Sequence, residues 1–312
     1  MRVAIIGEAM LEYRSQPRVT GGLTYGGDTL NSAIHMVRAG CETAYVTALG
    51  HDPLSDALVK DWQREGLDTR YVFKHPTKQP GIYAIHVDAR GERSFIYWRE
   101  DSAARTLFDL PDLDHARDHV AGADLLYFSL ISLAILPPSG REALIDLARR
   151  VRAQGGRVAF DSNFRPRLWD KVQTALAWSN QAIALATIGL PTAEDEQALL
   201  GADMSGEAIA ERWRALGCSE VIVKRGPAGP VIAAEGMAAF VYPCDPLQMI
   251  DSSGAGDAFN AGYLVARLKG HDVRMAAKCG HELAAWVIQR PGAIPPLSGD
   301  APYHHLRDKG VA

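Results

Sequence analysis

Short apolar, β-rich runs alternate with helical patterns along most of this 312-residue chain, and that alternation restricts its fold more than any other feature. Residues 3–6, 44–48, 125–128, 158–160, 182–187 and 221–223 read as strands; residues 29–39, 55–65, 140–154, 194–200 and 207–216 read as helices. The strands are apolar without a period of two, as expected where both faces of a sheet are covered. The pattern therefore predicts an α/β fold with a mostly parallel sheet between helical layers. Two segments break the rhythm, residues 12–25 and 80–99, which read as exposed antiparallel pieces. In the second, the aromatic-rich runs 81–87 and 93–98 flank a turn at 88–91. Lying outside the alternation, these inserts are expected to form a small β lid over a site, an intersubunit clasp, or both. No repeat or low-complexity linker divides the chain, so residues 1–312 read as a single domain carrying that lid.

A net charge of -4, from 33 Lys plus Arg against 37 Asp plus Glu, gives no global basic field for nucleic acid or an anionic membrane. An anionic small substrate would need a local basic site. Cys41, Cys218, Cys244 and Cys279 have no paired spacing and read as reduced thiols. The chain opens on a strand-like run, without the pattern of a signal peptide or an apolar stretch of membrane-spanning length, so a cytoplasmic location is expected.

The densest chemistry lies in Asp251-Ser252-Ser253-Gly254-Ala255-Gly256-Asp257-Ala258-Phe259-Asn260-Ala261-Gly262. Gly254 and Gly256 permit positive φ and close backbone approach, and the small apolar residues that follow have helical character. The turn then sits on a helix N-terminus, where orphan N–H groups and the dipole favour an anion. Asp257 is the odd member. A carboxylate beside a phosphate site is costly unless it accepts the proton of an attacking hydroxyl; taken alone, it can also simply complement the helix dipole. Nearer the start, Gly26-Gly27-Asp28-Thr29-Leu30-Asn31 opens a second helix. Either Asp28 or Thr29 caps that helix, or Asp28 and Asn31 bind vicinal sugar hydroxyls.

These two motifs, in this order, resemble the signature regions of the ribokinase-like sugar kinases, also called the phosphofructokinase-B family. Residues 45–52, 91–99, 131–136, 160–169 and 223–226 resemble the family's 2-keto-3-deoxygluconate kinase branch, so the resemblance covers nearly the whole chain. It implies a ribokinase-like three-layer αβα sandwich with Asp257 as base and the Gly254, Ala255 and Gly256 amides as the anion hole. It also implies Gly27, Asp28, Asn31 and Asp251 around the sugar. The segment has no Gly-x-x-x-x-Gly-Lys-Ser/Thr loop, so the nucleotide site is not of the P-loop type.

A sugar acid brings a carboxylate, which calls for arginine forks in the pocket. The resemblance points to Arg99 and Arg165 for this, with Tyr83 and Tyr97 on the lid facing the substrate; the tyrosines can equally fill the lid's apolar face. On the nucleotide side Asn163, Lys224, Arg225, Gly226, Gly229 and Ser253 resemble positions lining the ATP cleft. Where many relatives carry Asn-x-x-Glu, this chain has Thr192-Ala193-Glu194-Asp195, so the sequence assigns no metal-organising carboxylate. The expectation is an enzyme that uses ATP and Mg2+, admits a monovalent cation, and phosphorylates the 6-hydroxyl of 2-keto-3-deoxy-D-gluconate in sugar-acid catabolism. A homo-oligomer, a dimer through the lid or an assembly of such dimers, is expected from the aromatic hairpin.

Overall fold

The computed structural model describes residues 1–15, 23–87, 93–244 and 247–307. Its strands are β1 (Arg2–Ile6), β2 (Met10–Ser15), β3 (Leu23–Gly26), β4 (Glu42–Gly50), β5 (Val72–His75), β6 (Gly81–Val87), β7 (Arg93–Trp98), β8 (Leu125–Ser129), β9 (Arg157–Asp161), β10 (Ile188–Gly189), β11 (Glu220–Val223), β12 (Val231–Ala234) and β13 (Phe240–Val241). The helices are α1 (Asp28–Arg38), α2 (Pro53–Glu65), α3 (Asp114–Ala121), α4 (Leu130–Ile135), α5 (Pro138–Ala153), α6 (Val172–Leu185), α7 (Ala193–Leu200), α8 (Gly206–Ala215), α9 (Ala255–Leu268), α10 (Val273–Ile288) and α11 (Tyr303–Arg307).

Nine strands form one sheet in the order β13-β12-β11-β10-β9-β8-β1-β4-β5, parallel from β5 to β11 and antiparallel over the last two pairings. Its two faces bury separate cores. On β1, Ala4 and Ile6 pack on one side and Val3 and Ile5 on the other; β8 divides Leu126 and Phe128 from Leu125 and Tyr127 in the same way. Covering on both faces explains why these strands read as unbroken apolar runs. The expected three-layer αβα sandwich around a mostly parallel sheet is the fold.

One strand differs from expectation. Residues 182–187 lie mostly in the last turn of α6, and the strand is the two-residue β10 that follows. A short apolar run gives the same signal in a buried helix end as in a central strand, so periodicity could not separate them.

The lid is a second sheet in the order β3-β2-β6-β7. Each insert is internally antiparallel, as read, but β2 and β6 join the two in parallel, with Glu12 opposite Tyr83. The expected turn at 88–91 lies outside the described residues. Cross-strand pairing puts Tyr13, Leu23, Ile82, Ile96 and Trp98 on one face, all exposed, and Glu12, Tyr83, Phe95 and Tyr97 on the other. The lid connects to the main sheet directly after β1, so its root lies at the carboxyl ends of the central strands, where open α/β sheets bind ligands.

Candidate active site

The turn before α9 is built as the glycines required. Gly254 caps the helix with φ 71°, and a Cβ there would lie 2.5 Å from the Ala293 Cβ and 2.8 Å from its Cα. Only glycine fits. The helix has no side-chain cap, so its first amides are offered outward. Ala255 is turned back, its N–H donating to the Ser252 carbonyl at 3.3 Å, which leaves the Gly256 and Asp257 amides as the first-turn donors. Open space lies over Gly256, whose nearest neighbour from the position of a Cβ is the Lys224 Nζ at 3.7 Å.

Lys224 is buried under this helix end. Its ammonium donates to Asp161 Oδ2 and to Asn260 Oδ1, both at 3.1 Å, and the Asn260 amide completes the ring by donating to the same Asp161 oxygen at 2.7 Å and to the Tyr127 hydroxyl at 3.1 Å. A cation held by a neutralising carboxylate beneath orphan amides extends the positive end of the helix dipole into the site.

Asp257 stands in the first turn of α9, where Asn31 Nδ2 donates to its Oδ2 at 2.8 Å and the Ser32 hydroxyl donates to its carbonyl at 3.1 Å. The two motifs, 226 residues apart, thus meet through a hydrogen bond. Burial first, then the neighbouring Asp28, push the Asp257 carboxyl up to about 8, with Asp161 adding to the rise and Asn31 and Lys224 opposing it. A group poised there suits a base working near neutral pH and does not suit a passive dipole partner, which would stay fully ionised. Asp28 is also raised, mainly by burial.

At this same N-terminus of α1 neither Asp28 nor Thr29 is the cap. The cap is Gly27, with φ 150° and no side-chain hydrogen bond; a Cβ there would sit 2.3 Å from the Glu8 carbonyl. Asp28 instead accepts from the Ser129 hydroxyl and, at 2.8 Å, from Asn163 Nδ2. Thr29 pairs with the Tyr45 hydroxyl at 3.1 Å. Asn31 Oδ1 and Asn163 Oδ1 are buried and have no protein partner among the described residues. Both are acceptors on amides whose nitrogens donate to Asp257 and Asp28, so they suit ligand hydroxyl donors.

Residues 2–299 match the pfkB family of carbohydrate kinases. The chain belongs to that family. It is 41% identical over 303 residues to the 2-dehydro-3-deoxygluconokinase of Dickeya dadantii, covering 95% of this chain and 97% of that one. The corresponding enzyme of Haemophilus influenzae is 38% identical, with 94% and 95% covered. Among solved structures, an uncharacterized sugar kinase from Pyrococcus horikoshii in complex with ATP superposes with a TM-score of 0.78 at 25% identity, covering 94% of each chain.

For a carbohydrate kinase the positions of the remaining expected residues matter. Tyr83 leans over the Gly-Gly turn: its hydroxyl donates to Glu12, its ring stacks on Tyr97 at 5.9 Å, and a Cβ on Gly26 would lie 2.3 Å from that hydroxyl. Arg99 is buried, ion-paired with Glu8, which also accepts from the Ser102 hydroxyl; Arg99 Nε has no partner among the described residues. Arg165 is half exposed and pairs with Asp195 at 3.0 Å. Asp195 is held up mainly by burial, opposed by Arg165. Asp251 spends its carboxylate on backbone, taking the Ser253 N–H at 2.8 Å and the Gly292 N–H at 2.9 Å, and so staples the turn. Arg225 folds onto its own loop, donating to the Ala228 and Gly229 carbonyls. Gly226 and Gly229 both have positive φ, and a Cβ on Gly229 would meet the Tyr242 carbonyl at 2.1 Å.

Asp161, Asn260, Ser129 and Glu8 were not singled out from sequence. A signal existed for two of them: Asn260 stands three residues after Asp257 on one helix, and Asp161 closes β9 at the ligand-binding edge.

Proposed function

We propose that this pfkB-family kinase transfers the γ-phosphoryl group of ATP to the 6-hydroxyl of 2-keto-3-deoxy-D-gluconate, giving the 6-phospho acid and ADP. The carrying observation is the junction of α1 and α9, where Asn31 orients a carboxylate of raised pKa beside the orphan amides of a glycine turn. Relatives over nearly the full length bear that activity in their names. In this reading Asp257 takes the proton of the 6-hydroxyl as the oxygen attacks. The Gly256 and Asp257 amides, with Lys224 behind them, stabilise the charge on the moving phosphoryl. Gly27, Asp28 and Asn31 take the sugar hydroxyls, and Arg99 and Arg165 the carboxylate, under a lid carrying Tyr83 and Tyr97, with Asn163 on the nucleotide side. The nucleotide lies along Ser253 and the loop Arg225, Gly226 and Gly229.

Mg2+ on the nucleotide phosphates supplies charge neutralisation when bound. Among the described residues no cluster of three or more His, Cys, Asp or Glu could hold a metal ion. A monovalent cation is a candidate activator, tested by omission. The apolar outer face of the lid supports a dimer through lid pairing. The four unbridged cysteines fit a reducing, cytoplasmic setting, and no described helix is long and apolar enough to cross a membrane. The test is Arg165→Ala: turnover of the sugar acid should fall far more than residual turnover of fructose. Equal loss on both would remove the carboxylate role.

A further inference from the structure

We infer that His35 is a positioning residue for phosphoryl transfer, tying the segment that backs the glycine turn to the same helix that orients the base. The inference rests on the assignment of that turn as the anion hole.

His35 lies one turn beyond Asn31 on α1, with its side chain wholly buried. Its Nε2 is 2.9 Å from the Ala293 carbonyl oxygen, which can only accept, so Nε2 carries the proton. Nδ1 therefore accepts, and the Tyr303 hydroxyl of α11 donates to it at 2.6 Å. Both ring nitrogens are committed and the ring orientation is fixed. Burial pushes the imidazole down to about 4, so it stays neutral through the working range.

Ala293 is the residue that shapes the turn. The position a Gly254 Cβ would take lies 2.5 Å from the Ala293 Cβ and 2.8 Å from its Cα, so Ala293 packs directly against the left-handed cap. The segment around Ala293 is tied on both sides. Gly292 donates to Asp251 within the glycine turn, while Arg38, ion-paired with Glu65, donates to the Pro295 carbonyl at 2.7 Å. On the same helix Asn31 and Ser32 hold Asp257. One rigid element thus references the general base at its first turn and the backing of the anion hole one turn later. In-line transfer depends on the distance between these two, and a displacement well under 1 Å is enough to lower the rate without altering the sugar contacts.

The experiment compares kcat and both KM values for His35→Met, which fills the space without a donor, and His35→Gln, which keeps an N–H for Ala293, at a temperature well below each variant's Tm. His35→Met should lose about tenfold in kcat, as expected for a small misalignment, with the KM for the sugar acid unchanged, and His35→Gln should recover most of the loss. Wild-type kcat in folded His35→Met overturns the proposal, as does a loss confined to sugar KM. If either variant does not fold, Tyr303→Phe, which leaves α1 intact, must lower kcat several-fold; wild-type kcat there overturns it too. Asp257→Asn separates the two levels: retained turnover in that variant refutes the underlying site assignment, whereas lost turnover there with wild-type kcat in His35→Met refutes only the role of His35.

Discussion

Replacing Asp257 by Asn should abolish turnover and stabilise the unliganded protein, with a gain that depends on pH. The substitution is nearly isosteric and keeps an oxygen for the Asn31 amide. The Asp257 carboxyl is raised from 3.8 to about 8 by burial first and then by Asp28, with Asp161 adding to the rise and Asn31 and Lys224 opposing it. The folded state therefore binds a proton that the unfolded state has released between these values, so this group's contribution to stability falls as pH rises from about 4 and levels off above about 8. At ~1.4 kcal/mol per pH unit the cost reaches at most ~4 kcal/mol at pH 7. Water at the open side of the cleft reduces it, and ~2 kcal/mol is the working figure, a Tm gain of ~4 °C. Differential scanning calorimetry at pH 4.5, 7 and 8.5 should find the variant's advantage small at the first and largest at the last. Turnover should drop at least ~10²-fold, as expected for loss of a general base. A pH-independent Tm difference would refute the electrostatic account, and retained turnover would refute the base.

Other consequences follow from the same geometry. For the wild-type enzyme kcat/KM should rise with pH toward a limb near 8, because it is ionised Asp257 that accepts the proton; a flat profile from pH 6 to 9 would contradict this. Gly254→Ala faces both the left-handed φ and the 2.5 Å approach to Ala293, so it should cost at least ~1–2 kcal/mol and lower kcat more than sugar affinity, measured by denaturation and steady-state kinetics. Arg99→Ala strands Glu8 as a buried charge and should destabilise by about 3–5 kcal/mol, with much of that recovered in the double variant Arg99→Ala, Glu8→Gln; no recovery would mean the pair is not coupled.

Much of the site was legible because its residues sit in two short glycine motifs whose conformational demands are local. Gly27 and Gly254 adopt the positive φ that their surroundings impose, and Asp257 lies in the first turn as the pattern required. The meeting of Asn31 with Asp257 was not legible, since it depends on packing α1 against α9. Nor was the occupation of the long side chains. The resemblance puts Lys224 and Asn163 along the nucleotide cleft, but their hydrogen bonds to Asp161 and Asp28 had no sequence signal, because a buried ammonium or amide takes the nearest acceptor whatever its place in sequence. The strand expected at 182–187 shows the same limit at the level of fold: Ala and Leu in a covered layer satisfy a helix as well as a strand, and the residues that pair with β9 and β11 are the two of β10, just beyond α6.

The central claim, phosphorylation of a keto-deoxy sugar acid through the α1–α9 junction, is tested most directly by ATP consumption with Mg2+ across 2-keto-3-deoxygluconate, its galacto epimer, gluconate, fructose and ribose, with the phosphorylated position read by phosphorus NMR. Strong selectivity for the keto-deoxy acids, with phosphate at the 6-hydroxyl, is the predicted result. Preference for fructose or ribose would contradict the assignment of Arg99 and Arg165 to a substrate carboxylate.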